Sequence, residues 1–408
     1  MFRRGGYRRK FGQRFGIYER NLRERLKTRR VVWVHAVSVG EVAIGLKLIR
    51  KFCSLNPAAR FVLTTTTTTG FAFAEKNAPP EIEVLYSPLD FWPIMKRAFA
   101  VIKPERILLV EAEVWPNLVA QARAGNVPIA LVNARLSPRS ERRFRKFRWL
   151  VAPLFRQLDL VCVPEARDVD RWSALGVDRG RIHHTGSIKY DPVGTEETSV
   201  DTKTVTNQDL YANANRLVLF GGSTHRGEEE ILARVFLSLR QDFPELLLFL
   251  APRHVERAKQ IRRELQKISL GVEFCSEIEA GSAAHPDCLV LDRTGELRKW
   301  YQVASVVFVG KSLAAIGGQN PVEPILAGKP VVFGPHMENF ATLARELIAN
   351  RAAVEVSGED SLRVAVHQLL SDEKARNQLV GNARRVIDSH RGATDRTAKL
   401  VINLSKTD

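Results

Sequence analysis

The 408-residue chain is short of cysteine. Cys53, Cys162, Cys275 and Cys288 form no C-x-x-C pair and no zinc spacing. A disulfide scaffold is therefore not expected, and a reducing compartment follows. No apolar run comes near the ~20 residues that span a bilayer, and no apolar signal segment follows the basic start. The phosphate-loop pattern G-x-x-x-x-G-K-[ST] and the dinucleotide pattern G-x-G-x-x-G are both missing. Solenoid-type repeats are also missing. Acidic residues are the other shortage, 45 Asp and Glu against 62 Lys and Arg.

The resulting charge of +17 is local. Residues 1–30 carry twelve Lys/Arg and two Glu, and residues 135–156 carry eight Lys/Arg and one Glu. The rest balances at 42 basic against 42 acidic. Two such patches attract phosphates, whether of nucleic acid, anionic lipid or a phosphorylated ligand.

What is present is 45% apolar, enough to exclude a disordered or collagen-like chain. At roughly 150 residues per domain, the length suits two or three domains. Short β-rich runs alternate with helical spacing: 31–37, 60–65, 83–87, 106–113, 128–134 and 158–163. Continuous apolar strands between helices predict a parallel sheet covered on both faces. The alternation stops in a polar stretch, 193–215, read as a linker. It restarts at 216–222, 245–252, 287–292, 305–310 and 329–334, and ends in a helical segment at 396–404. The fold class is α/β, with two Rossmann-like domains expected at 1–192 and 216–390 and a ligand in the cleft between them. The C-terminal helix, 391–408, is expected to pack back on the N-terminal domain.

Candidate chemistry lies at strand ends. Ser38 and Glu41 in SVGE fit a capping box or, alternatively, a carboxylate base; a helix N-terminus and burial would pull that carboxyl in opposite directions. Glu111 and Glu113 in EAEVWPN point to one side if the strand continues. Lys189 precedes the linker. GGSTHRGEEE (221–230) offers a turn and a helix start suited to an anion. Arg253 presents a planar fork for phosphate. Glu323, between two prolines, suits a ribose diol. Thr64 to Thr69, closed by Gly70, reads as a strand end and hydroxyl-rich turn. Asp168 and Asp170 read as an exposed helix, and His183–His184 lacks further ligands, so no metal site is expected.

Eleven segments in order resemble one family, the 3-deoxy-D-manno-oct-2-ulosonic acid (Kdo) transferases of lipopolysaccharide biosynthesis, which are GT-B glycosyltransferases. They are YRRKFGQRFGIY (7–18), HAVSVGE (35–41), EAEVWPNL (111–118), NARLSPRS (133–140), TGSIKYD (185–191), STHRGEE (223–229), PRH (252–254), GEL (295–297), FVGKSL (308–313), NPVEP (320–324) and GKPVVFGPHMENF (328–340). The resemblance implies Glu41 as catalytic base, with Glu111 and Lys189 stabilising the transition state. It implies Pro252, Arg253, Thr294, Gly295, Glu296, Asn320, Pro321, Val322 and Glu323 as contacts to the CMP of a CMP-Kdo donor. It implies lipid IVA as acceptor, inversion at the anomeric carbon, no metal or other cofactor, and an acceptor-binding, membrane-facing first domain. The family usually has His where Gln319 stands and a second Gly where Lys311 stands. Many members carry an apolar N-terminal anchor upstream of the segment at which this chain begins, so two expectations stand, a truncated start or attachment by surface charge, with a peripheral place on the cytoplasmic face of the inner membrane through the basic patches. Two other readings stay open: a GT-B transferase using another nucleotide sugar, and a basic nucleic-acid-binding protein, although no nucleic-acid-binding motif accompanies the charge.

Overall fold

The computed structural model describes residues 10–27, 30–192, 216–278, 287–293 and 297–404. The linker 193–215 and the expected donor contacts Thr294, Gly295 and Glu296 lie outside the described residues, as do the first nine residues of the basic start. Two compact units divide the chain, with the boundary at Glu196 and a return to the first unit at His390.

In the first unit the strands are β1 (Val31–His35), β2 (Phe61–Thr65), β3 (Glu83–Tyr86), β4 (Pro104–Val110), β5 (Ile129–Val132), β6 (Leu160–Val163) and β7 (Ile182–His184). They form one parallel sheet in the order β3-β2-β1-β4-β5-β6-β7. The helices are α1 (Arg20–Lys27), α2 (Val39–Leu55), α3 (Thr68–Asn77), α4 (Trp92–Ile102), α5 (Pro116–Ala124), α6 (Pro138–Lys146), α7 (Arg148–Phe155) and α8 (Ala166–Ala174). Alternate side chains feed opposite cores. Trp33, Ile107, Leu109 and Leu131 pack on one face, and Val32, Val34, Leu108 and Val132 on the other. Burial on both faces explains why these strands read as unbroken apolar runs.

The second unit repeats the plan. Its strands are β8 (Val218–Thr224), β9 (Leu247–Pro252), β10 (Val272–Phe274), β11 (Cys288–Val290), β12 (Val306–Val309), β13 (Val331–Phe333) and β14 (Val354–Glu355). Their order is β10-β11-β9-β8-β12-β13-β14, again parallel. Its helices are α9 (Glu228–Leu239), α10 (Ala258–Gln266), α11 (Leu297–Trp300), α12 (Val322–Leu326), α13 (Ala341–Ala349), α14 (Glu359–Ser371) and α15 (Glu373–Asp388). A final helix, α16 (Ala393–Ile402), belongs to the first unit, where Ala398 and Val401 join the core beneath α2.

Two local readings are corrected. β4 stops at Val110, because Glu111 turns into the left-handed region at φ 63°, so Glu111 and Glu113 do not continue a strand. Asp168 is not on an exposed face: it is 2% exposed and bonded to Arg171 at 2.5 Å. Arg171 also grips Glu141 and the Leu136 carbonyl, tying α8 to α6.

Candidate active site

In the first unit the ends of β1 and β4 and the loop after β7 bring Glu41, Glu113 and Lys189 each into electrostatic range of Glu111. Glu41 lies in the first turn of α2. Its carboxylate accepts from the Val37 N–H and the Ser38 hydroxyl, both at 2.8 Å, while Ser38 Oγ caps the Glu41 N–H at 3.4 Å. The capping arrangement is therefore real. Glu41 is nevertheless only 8% exposed. Burial outweighs the two hydrogen bonds, and the neighbouring Glu111 and Glu113 add repulsion, so its pKa is pushed up to about 7.

The threonine run builds this turn. The Val37 carbonyl accepts from Thr65 Oγ1 and Thr67 Oγ1 at 3.1 Å each and from the Thr67 N–H at 3.2 Å. Thr67 also caps α3. A Cβ on Gly70 would come within 2.8 Å of both hydroxyls, which explains the glycine that ends the run. Arg14 supports the same loop from the N-terminal segment: it donates to the Thr66 carbonyl at 2.7 Å and lies over the Tyr86 ring. Arg14 is thus withdrawn from the basic surface.

Burial lowers the Lys189 pKa to about 8; Glu111 opposes that shift and Arg135 adds to it. Burial also raises Glu113, which accepts a hydrogen bond from Trp115. The loop carrying Lys189 is fixed on two sides. Asn133 Oδ1 accepts from the Ile188 N–H at 3.0 Å. Asp191, 1% exposed, accepts from the N–H groups of Gly392 and Thr394 at the start of α16. Lys47 of α2 donates to the carbonyls of Ile188 and Asp191. Glu113 was a strand-end candidate beside Glu111; Asn133, Arg135 and the threonine run were not assigned to the site from sequence, although the first two lie in the quoted motif NARLSPRS.

In the second unit the residues described are Pro252, Arg253, Asn320, Pro321, Val322 and Glu323. Pro252 ends β9, and the exposed Arg253 follows it, its N–H bonded to the Thr224 carbonyl at 3.0 Å. Asn320 Nδ2 donates to Glu323 Oε1 at 3.1 Å, and Asn320 Oδ1 accepts from the Val322 N–H. Pro321 and Val322 carry the chain into α12. The anion expected at 221–230 turns out to be the protein's own. The fully buried Glu228 carboxylate accepts from the N–H groups of His225, Lys311, Ser312 and Leu313 at 2.7–3.0 Å. Among the described residues, no three His, Cys, Asp or Glu side chains are placed to hold a metal ion.

The second basic patch is exposed on α6 and α7. Arg142, Arg143, Arg145, Lys146 and Arg148 face solvent beside Phe147, Trp149 and Leu150. Trp149 is 76% exposed and Leu150 61%. Among the described residues, no helix is long and apolar enough to cross a membrane.

Residues 9–192 match the family model described as 3-Deoxy-D-manno-octulosonic-acid transferase (kdotransferase). A 3-deoxy-D-manno-octulosonic acid transferase of Haemophilus influenzae is 31% identical over 399 residues, covering 97% of this chain and 91% of that protein. One from Bordetella pertussis is 34% identical over 378 residues, covering 90% and 85%. The chain belongs to the Kdo transferase family. As a Kdo transferase family member it is a glycosyltransferase. A UDP-GlcNAc 2-epimerase from Neisseria meningitidis, solved with UDP-GlcNAc, matches at a TM-score of 0.62 with 11% identity, covering 92% of this chain and all of that one. That likeness concerns the fold alone, which is the two-domain α/β GT-B class.

Proposed function

We propose that this Kdo transferase moves Kdo from CMP-Kdo to lipid IVA with inversion. The observation that carries the reading is Glu41, a buried carboxyl poised near neutrality at a strand-end rim shared with Glu111 and Lys189. An acceptor hydroxyl oxygen attacks the anomeric carbon as its proton passes to Glu41. The bond from that carbon to the phosphate oxygen breaks, and CMP leaves with the electron pair. Glu111 favours positive charge developing on the sugar, while Lys189 meets a carboxylate or developing negative charge. Pro252, Arg253, Thr294 to Glu296 and Asn320 to Glu323 hold the CMP portion. A monophosphate donor presents no pyrophosphate to chelate, which supports metal-free chemistry.

The acceptor is bisphosphorylated and lies in an anionic leaflet. The arginine-rich α6–α7 surface, with an exposed Trp at its centre, suits the cytoplasmic interface of the inner membrane. The first unit is read as the acceptor domain and the second as the donor domain. Calorimetry with CMP, UDP and GDP tests the donor reading. Saturable binding of CMP alone is expected; preference for UDP or GDP overturns the donor assignment. Retention on duplex DNA but not on anionic liposomes at matched salt overturns the membrane assignment.

A further inference from the structure

Lys311 follows β12 at the carboxyl end of the second sheet, where open α/β sheets bind their ligands. Its φ is 60°, the left-handed region that favours glycine. The neighbouring loop uses glycine where the backbone demands it. A Cβ on Gly310 would come 2.4 Å from the Ser223 carbonyl oxygen, and one on Gly318 2.5 Å from the Met337 sulfur. Lys311, like Ser223 at φ 55° in the facing loop, is a non-glycine residue held in that region.

The backbone around it is held firmly. The Lys311 N–H donates to Glu228, and its carbonyl accepts from Gly318 at 2.8 Å. The Gly310 carbonyl accepts from Gln319 at 3.0 Å, directly before Asn320. Lys311 is thereby stitched to the loop that carries Asn320 and Glu323. Its ammonium reaches over Gly317. A Cβ there would lie 3.2 Å from Nζ and 2.9 Å from Asn339 Nδ2. The Lys311 charge is felt at His225, whose ring lies 5.9 Å from that of His254, next to Arg253. Among the described residues, the ammonium has no ion-pair partner. A cation with no ion-pair partner among the described residues, on a left-handed backbone between two loops of one ligand-binding edge, marks a place for an anionic oxygen.

We propose that Lys311 is a donor-binding residue whose ammonium contacts an anionic oxygen of the nucleotide sugar, in its phosphate or its sugar carboxylate. This rests on the CMP-Kdo reading above. The test compares wild type, Lys311→Gly and Lys311→Arg by calorimetry with CMP and with cytidine, by KM for CMP-Kdo, and by melting temperature. Losing one charge-assisted contact weakens CMP about tenfold in Lys311→Gly, with cytidine binding unchanged and Lys311→Arg close to wild type. The melting temperature of Lys311→Gly rises, since glycine relieves the strain. Unchanged CMP affinity with a raised KM for CMP-Kdo assigns the contact to the sugar carboxylate. Equal CMP affinity and equal KM in wild type and Lys311→Gly overturn the inference while leaving the donor reading intact. A wild-type protein that binds neither CMP nor CMP-Kdo overturns both.

Discussion

Burial pulls the Glu41 carboxyl one way, and its two hydrogen bonds pull it the other. Burial wins, and the folded pKa of about 7 lies above the ordinary 4.5. The folded state therefore holds the proton more tightly than the unfolded state, and stability falls as pH rises between those values. Glu41→Gln keeps the shape and cannot ionise. Its melting temperature should match wild type near pH 4.5 and exceed it at pH 8, while turnover drops on the order of 10²–10⁴-fold. A pH-independent gap in melting temperature, or normal turnover, contradicts this. The proposed base is the ionised form of Glu41, so wild-type turnover should climb with pH through about 7. Lys189 loses its charge above about 8, which should bring turnover down again. Lys189→Arg, which stays charged, should remove that falling limb from the pH–rate profile. The capping reading of Glu41 holds as geometry, and the base reading is the proposal; what the sequence could not show is the depth of burial that raises its pKa. Glu111 was legible as a strand-end carboxylate, but its left-handed backbone was not, since nothing in EAEVW marks the turn.

Among the elements, the long strands were legible because each is buried on both faces, leaving an unbroken apolar run. The edge strands β10 and β14 escaped notice, at three and two residues, because they are too short to show a period. The Thr64–Thr69 run read as a plain turn because the partner of its hydroxyls, the Val37 carbonyl, is some thirty residues away. α16 and the 185–191 loop form one assembly through Asp191. Asp191→Ala removes two N–H acceptors at a buried site, costing about 1–3 kcal/mol. Chemical denaturation should show that loss, and kcat should fall more than KM for the donor rises, because the loop presents Lys189. A stability loss with unchanged kcat would leave Asp191 a purely structural cap. The α6–α7 surface makes a separate prediction. Replacing Arg142, Arg143, Arg145 and Arg148 by Gln should weaken binding to anionic liposomes and spare CMP binding. At about 1 kcal/mol per well-placed cation, the loss should exceed tenfold. Equal loss of both activities would contradict a membrane-facing role.

At the scale of the molecule, the +17 charge is partly structural. Lys10 pairs with Glu75, Arg25 with Glu83, and Arg14 is buried beneath the threonine loop. On α6 and α7 the exposed charge lies beside Trp149 and Leu150, and Arg20, Arg23, Lys27 and Arg30 face solvent as well. A uniform basic coat would suit nucleic acid; arginines flanking exposed apolar side chains suit a lipid interface. The two-sheet plan was legible in the alternation of strands and helices, and the return of the chain to the first unit at His390 gives the final helix its place beneath α2. All of this converges on one reaction, and mass spectrometry of lipid IVA incubated with CMP-Kdo and the purified protein tests it most directly. Wild type should yield an acceptor heavier by one or more Kdo units, and Glu41→Gln an unchanged acceptor. An acceptor unchanged by wild type, where another Kdo transferase modifies it under the same conditions, would contradict the account.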